Sequence, residues 1–81
     1  MIAEITKIKK KPSRYGGYFY YVFFKSNKGK SYYSCLYPKM RNFIRWRKVL
    51  KVGTLLKNLH LVRGHKNIID ADSKFKVINN D

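Results

Sequence analysis

At 81 residues and a formal net charge of +15, the chain is long enough for one domain with a modest core, and its balance points to a polyanionic partner. A hydrophobic content of 44% excludes a disordered basic tail, and there is no run of about 18 apolar residues that would cross a membrane. The start, MIAEITKIKKKP, lacks the apolar core of a signal peptide, and a lone Cys35 excludes an intrachain disulfide, so a cytoplasmic or otherwise intracellular, virus-encoded setting is expected.

The charge is unevenly distributed. Between Ile5 and Ile69 there is no Asp or Glu, yet 17 of the 19 Lys and Arg residues lie there. Soluble domains ordinarily interleave both signs, because self-repulsion works against the compact state. Nucleic acid is therefore the leading partner, ahead of an anionic membrane or an acidic protein surface. A single domain spanning residues 1–81 is expected, with no internal repeat or linker.

Residues 2–9 read as a first strand. Ile2, Ile5 and Ile8 are spaced by three rather than two, so a bulge or strong bend is needed to keep them on one face. Residues 9–17, Lys9-Lys10-Lys11-Pro12-Ser13-Arg14-Tyr15-Gly16-Gly17, then form a basic loop, because Pro12 and the glycine pair stop the strand.

The next stretch, residues 18–37, is YFYYVFFKSNKGKSYYSCLY and holds nine of the thirteen aromatic residues. Two aromatic and β-branched runs flank Ser26-Asn27-Lys28-Gly29-Lys30, a polar break of hairpin length. Strand side chains alternate between faces. Pairing Phe24 with Tyr32 gathers Tyr20, Val22, Phe24, Tyr32, Ser34 and Leu36 on one face. Phe19, Tyr21, Phe23, Tyr33, Cys35 and Tyr37 then share the other. A slip of one residue would exchange the second strand's sets, but the first register unites Val22, Phe24 and Leu36. So small a domain can bury one side of this ribbon, and the odd-numbered side is left as an aromatic platform among cations.

Pro38 is suited to a helix's first turn. The pattern predicts a helix from Lys39 to about Leu50, with Met40, Phe43, Ile44 and Leu50 at helical spacing. Trp46 and Val49 widen the apolar arc, which makes Trp46 a core anchor, and Arg41, Arg45 and Lys48 form a basic stripe. Residues 54–62 read as a fourth strand and Arg63-Gly64-His65-Lys66-Asn67 as a basic turn. Residues 67–71 and 75–78 supply the closing strand, and Asn79-Asn80-Asp81 are expected to fray.

Catalysis has little to stand on. Cys35, His60 and His65 are too few and too scattered for a zinc site. Asp70 and Asp72 lack a nearby third acid unless Glu4 comes alongside, and they read better as a turn or as compensating charge. Neither a phosphate-binding glycine loop nor a nucleophile motif is present. No enzymatic activity, metal or cofactor is expected.

The order strand, strand, strand, helix, strand, strand resembles the OB-fold, in which a five-stranded barrel carries a helix between strands three and four. Gly17-Tyr18-Phe19-Tyr20 resembles part of the aromatic motif of cold-shock domains. The resemblance implies a mainly β, OB-like barrel binding single strands across strands two and three, aided by residues 9–17 and 63–67. An acidic tail like that of bacterial single-strand-binding proteins is absent, which implies a small accessory replication or recombination factor of a virus or mobile element.

The expected function is thus binding of single-stranded nucleic acid, DNA before RNA, with little sequence preference. Phe19, Tyr21, Phe23, Tyr33 and Tyr37 are the stacking candidates, since every base offers a π-face. Lys9, Lys11, Arg14, Lys25, Arg41 and Arg45 are the phosphate candidates. Two alternatives fit the charge: an architectural protein binding duplex DNA or RNA, and a small interaction subunit, such as part of a replication enzyme, binding an acidic protein. No membrane partner is expected.

Overall fold

Five strands and one helix occupy residues 1–78, which the computed structural model describes. They are β1 (Ala3–Pro12), β2 (Tyr18–Ser26), β3 (Ser31–Leu36), α1 (Phe43–Arg47), β4 (Leu55–Lys57) and β5 (Lys76–Val77). The fold is mainly β, with the helix between strands three and four as the element order predicts. The expected fraying of Asn79-Asn80-Asp81 falls outside the described residues. No helix within them is long and apolar enough to cross a membrane.

The hairpin has the expected register. Phe24 lies opposite Tyr32, Val22 opposite Ser34 and Tyr20 opposite Leu36. Its turn fixes that register chemically. The Ser26 hydroxyl accepts hydrogen bonds from the Lys28 and Lys30 N–H groups, and the Ser26 N–H donates to the Lys30 carbonyl at 2.8 Å. Gly29 closes the loop at φ 83°, a conformation that costs a side-chain-bearing residue strain.

A bulge reconciles the isoleucine spacing in β1. Ile5 faces Phe24 and Lys7 faces Phe23, so Thr6 is the extra residue between them. Its hydroxyl donates to the Phe23 carbonyl at 3.3 Å. The bulge turns both Ile5 and Ile8 to the inner face, where Ile5 is fully buried and Ile8 packs on the core. Ile2 is not part of this set: Ala3 takes the buried position and Ile2 is exposed. The strand also runs beyond the expected Lys9 to Pro12, which pairs with Tyr18. Proline is tolerated there because it ends the strand.

The sheet order is β3-β2-β1-β4-β5, all neighbours antiparallel. Among the described residues the sheet does not close, so the expected barrel overstates the architecture. The fourth segment is the reason. Only Leu55–Lys57 of the expected 54–62 is strand, and Asn58 at φ 63° turns the chain away. The expected closing strand divides likewise. Lys76–Val77 pairs with β4, while Ile68 and Ile69 make isolated bridges to Tyr33 and Leu61.

The helix is also shorter than the periodicity predicts. Residues 37–42 form turns, with the Met40 N–H donating to the Tyr37 carbonyl at 2.9 Å, and only Phe43–Arg47 is helical. Ile44, expected in the apolar arc, is 70% exposed. Trp46 is the core anchor expected. It is fully buried, its ring centroid lies 4.3 Å from that of Phe75 and 6.1 Å from that of Phe24, and its indole N–H donates to the Ala71 carbonyl at 2.8 Å. Around it lie Ile5, Val22, Leu36, Leu56, Leu59 and Ile69.

Among the described residues every buried side-chain nitrogen and oxygen has a hydrogen-bond partner. The Ser34 hydroxyl donates to the Ile69 carbonyl at 2.9 Å, and Ser73 bonds with Asp70 and His60 backbone atoms. Asp70 accepts from the Asp72 N–H at 2.9 Å and lies 3.8 Å from His60, so the two acids shape a turn.

Candidate nucleic-acid interface

With the bulge in place, the ladders of β1, β2 and β3 define the outer face row by row. Directly paired residues in adjacent strands share a face. Lys7 pairs with Phe23 and Phe23 with Tyr33; Lys9 pairs with Tyr21 and Tyr21 with Cys35; Lys11 pairs with Phe19. The Tyr37 ring completes the last row, stacked on Phe19 with centroids 5.2 Å apart and planes 20° from parallel. A column of three lysines thus runs beside two columns dominated by aromatic rings. Alternate residues of a strand recur about every 6.8 Å, comparable with one extended sugar-phosphate unit.

The rings support one another. Tyr21 contacts Phe19 edge to face at 5.1 Å, Phe23 at 6.3 Å and Tyr33 at 6.4 Å. Phe19, Tyr21, Phe23 and Tyr33 are half-buried and Tyr37 is 41% exposed, so each keeps surface for a ligand. Lys9, Lys11, Tyr21, Phe23 and Tyr33 line an open groove of about 340 Å³. The Lys11 ammonium lies 5.8 Å from the Tyr21 ring centroid, a cation–π distance.

Neither Cys35 nor Tyr21 adds an anion among the rings at neutral pH, and Glu4 at the end of the face sits opposite Lys25. Burial pushes the Cys35 thiol above its ordinary value, outweighing the opposing effect of its hydrogen bond with Tyr21. The Tyr21 phenol is raised as well, chiefly by the adjacent Cys35 and then by desolvation. Both groups therefore stay neutral well past pH 7.

Basic segments flank the platform at both ends. At the Phe19–Tyr37 end, residues 13–17 join β1 to β2 and carry Arg14 exposed. At the Phe23–Tyr33 end, the Tyr33 N–H donates to the Asn67 carbonyl at 2.9 Å. That bond brings the turn containing Arg63, His65 and Lys66 against the free edge of β3.

The predicted site residues therefore divide. Lys9 and Lys11 share the outer face with all five stacking candidates. Lys25 is exposed at the end of the same face, opposite Glu4. Arg41 is exposed in the turn before α1 and does not line the groove. Arg45 belongs to the inner side: its guanidinium donates to the Phe75 carbonyl at 2.9 Å and lies 4.9 Å over the Phe75 ring. Lys7 was not among the sequence candidates. Once Ile5 and Ile8 both point inward, Lys7, Lys9 and Lys11 must all point outward, so the isoleucine spacing carried the signal.

Comparison with family models, curated proteins and solved structures finds no match to this chain.

Proposed function

We propose that this protein binds single-stranded nucleic acid, DNA before RNA, with little sequence preference. The observation that supports this reading best is the registered pairing of a lysine column with aromatic columns on one open sheet face. The lysines would follow the phosphates, while Phe19, Tyr21, Phe23, Tyr33 and Tyr37 offer their rings to unstacked bases. Stacking of this kind contributes about 1–3 kcal/mol per base and tolerates any sequence. A duplex keeps its base faces internal, so the rings would add little there. An intracellular, cytoplasmic role goes with this proposal, as an accessory replication or recombination factor of a virus or mobile element.

The test is a titration of labelled single-stranded DNA, single-stranded RNA and duplex DNA of equal length at two or more salt concentrations. The single strand is expected to bind most tightly. Equal or tighter duplex binding would favour an architectural role, and capture of an acidic protein that survives nuclease treatment would favour an interaction subunit.

The lysine column has its own signature. Single-strand affinity falls with salt at a log–log slope of about −0.7 per neutralised phosphate. Replacing Lys7, Lys9 and Lys11 together by Ala is expected to flatten the slope by about 2. An unchanged slope would remove β1 from the site. These side chains are exposed, so the thermal midpoint is expected to move little.

A further inference from the structure

A second cleft adjoins the platform where β1 turns into β2. It encloses about 370 Å³, and its walls include Tyr15, Tyr18, Tyr37, Pro38 and Lys39. We propose that it receives one unpaired nucleobase, extending the stacking path by a nucleotide beyond Phe19 and Tyr37. This inference rests on the single-strand reading.

Three observations carry it. The first is continuity: Tyr37 stacks on Phe19 of the platform and also walls the cleft, so a strand leaving the last platform row meets the cleft next. The second is the presentation of Tyr15, whose residue is 87% exposed on a closed loop. Within that loop the Ser13 N–H donates to the Gly17 carbonyl at 3.0 Å, and the Tyr15 N–H donates to the Ser13 hydroxyl at 3.2 Å. Gly16 and Gly17 adopt φ 90° and 72°, which other residues enter only with strain. The backbone thus holds the loop in shape and leaves the Tyr15 ring at the cleft's wall with its surface uncovered.

The third is charge. Lys39 lines the cleft, Arg14 precedes Tyr15, and the Lys10 ammonium sits 3.8 Å from the Tyr18 ring centroid. No Asp or Glu occurs between Ile5 and Ile69. Flat apolar walls with cations nearby and no Asp or Glu among the lining residues suit a base carried on a phosphate backbone.

The experiment compares wild type, Tyr15→Ala, Tyr15→Phe and Tyr21→Ala on oligothymidylates from about 4 to about 10 nucleotides, the lower range of site sizes for single-strand-binding domains. A parallel series carries 2-aminopurine at either end. Tyr15→Ala is expected to match wild type on the shortest oligonucleotides and to lose about fivefold or more on longer ones. It should also abolish fluorescence quenching at one end only, while Tyr15→Phe retains both properties. Circular dichroism melting should give the wild-type midpoint for Tyr15→Ala. Wild-type affinity and quenching for Tyr15→Ala at every length, alongside a loss for Tyr21→Ala, would overturn the cleft and leave the platform standing. Full affinity in both alanine variants would overturn both.

Discussion

Trp46→Ala is expected to destabilise the protein by about 3–5 kcal/mol, the cost of deleting a buried large aromatic side chain. At roughly 4–8 °C per kcal/mol for a domain of this size, the thermal midpoint should fall by more than about 10 °C. The indole is fully buried between Phe24 and Phe75, and it joins three separate parts of the chain. α1 supplies the ring, β2 supplies Phe24, and the segment before β5 supplies Phe75. A five-residue helix has little stability of its own, so its place on the sheet depends on this contact. Trp46→Phe separates packing from hydrogen bonding. It keeps an aromatic ring and forfeits the bond to the Ala71 carbonyl, which still accepts from the Asn42 amide. The net loss from that bond is about 0.5–1.5 kcal/mol, so Trp46→Phe should melt well above Trp46→Ala. A wild-type midpoint for Trp46→Ala, with single-strand binding lost, would move this side chain from the core to the ligand.

The hairpin was legible because its signals agree. A polar break of suitable length, a glycine for the left-handed position and alternation on both sides all specify one register. The bulge was legible too, since Ile5 and Ile8 cannot share a face of a regular strand. Neither signal exists for the second half of the chain. Met40, Phe43, Trp46, Val49 and Leu50 do face the core, but turns, a short helix and a loop deliver them there together. Periodicity reports which residues are buried and not the backbone path that buries them. β4 stops at Asn58 and β5 is two residues long, and both depend on tertiary pairing with β1 and with each other. Local sequence preference has little to say about such elements.

The candidate site was legible in its aromatic part and incomplete in its basic part, for the same reason. Ring positions follow from the hairpin's parity alone. Cation positions depend on where β1 ends and where its bulge falls. Extending β1 to Pro12 makes Lys9 and Lys11 members of a strand face rather than of a loop, and the bulge at Thr6 puts Lys7 in the same column. Arg41 and Arg45 recur at helical spacing in the sequence, yet Arg45, though exposed, lies over Phe75 on the opposite side of the sheet from the platform, because the helix packs against the core side.

Stability and affinity are expected to separate by residue parity along the hairpin. Tyr21→Ala and Tyr33→Ala, on the outer face, should each weaken single-strand binding by about 1–3 kcal/mol, or about 5- to 150-fold. Their midpoints should fall only slightly: both rings are half-buried against neighbours on an open face and support no core side chain. The bonds of Tyr33 to Asn67 and Ile69 use backbone atoms and survive the substitution. Leu36→Ala should instead cost about 2–5 kcal/mol of stability, and Val22→Ala about 2 kcal/mol at ~0.8 kcal/mol per buried methylene plus a cavity. Both positions are fully buried on the inner face, so folded protein of either variant should bind with wild-type affinity. The measurements are thermal melts and single-strand titrations on all four variants, below the lowest midpoint. If binding is lost with Val22 and Leu36 rather than with the tyrosines, the inner-face rings Tyr18, Tyr20 and Tyr32 become the stacking set. If all four variants lose stability and none loses affinity selectively, the outer rings serve packing alone, and the lysine column runs beside a surface that no base touches.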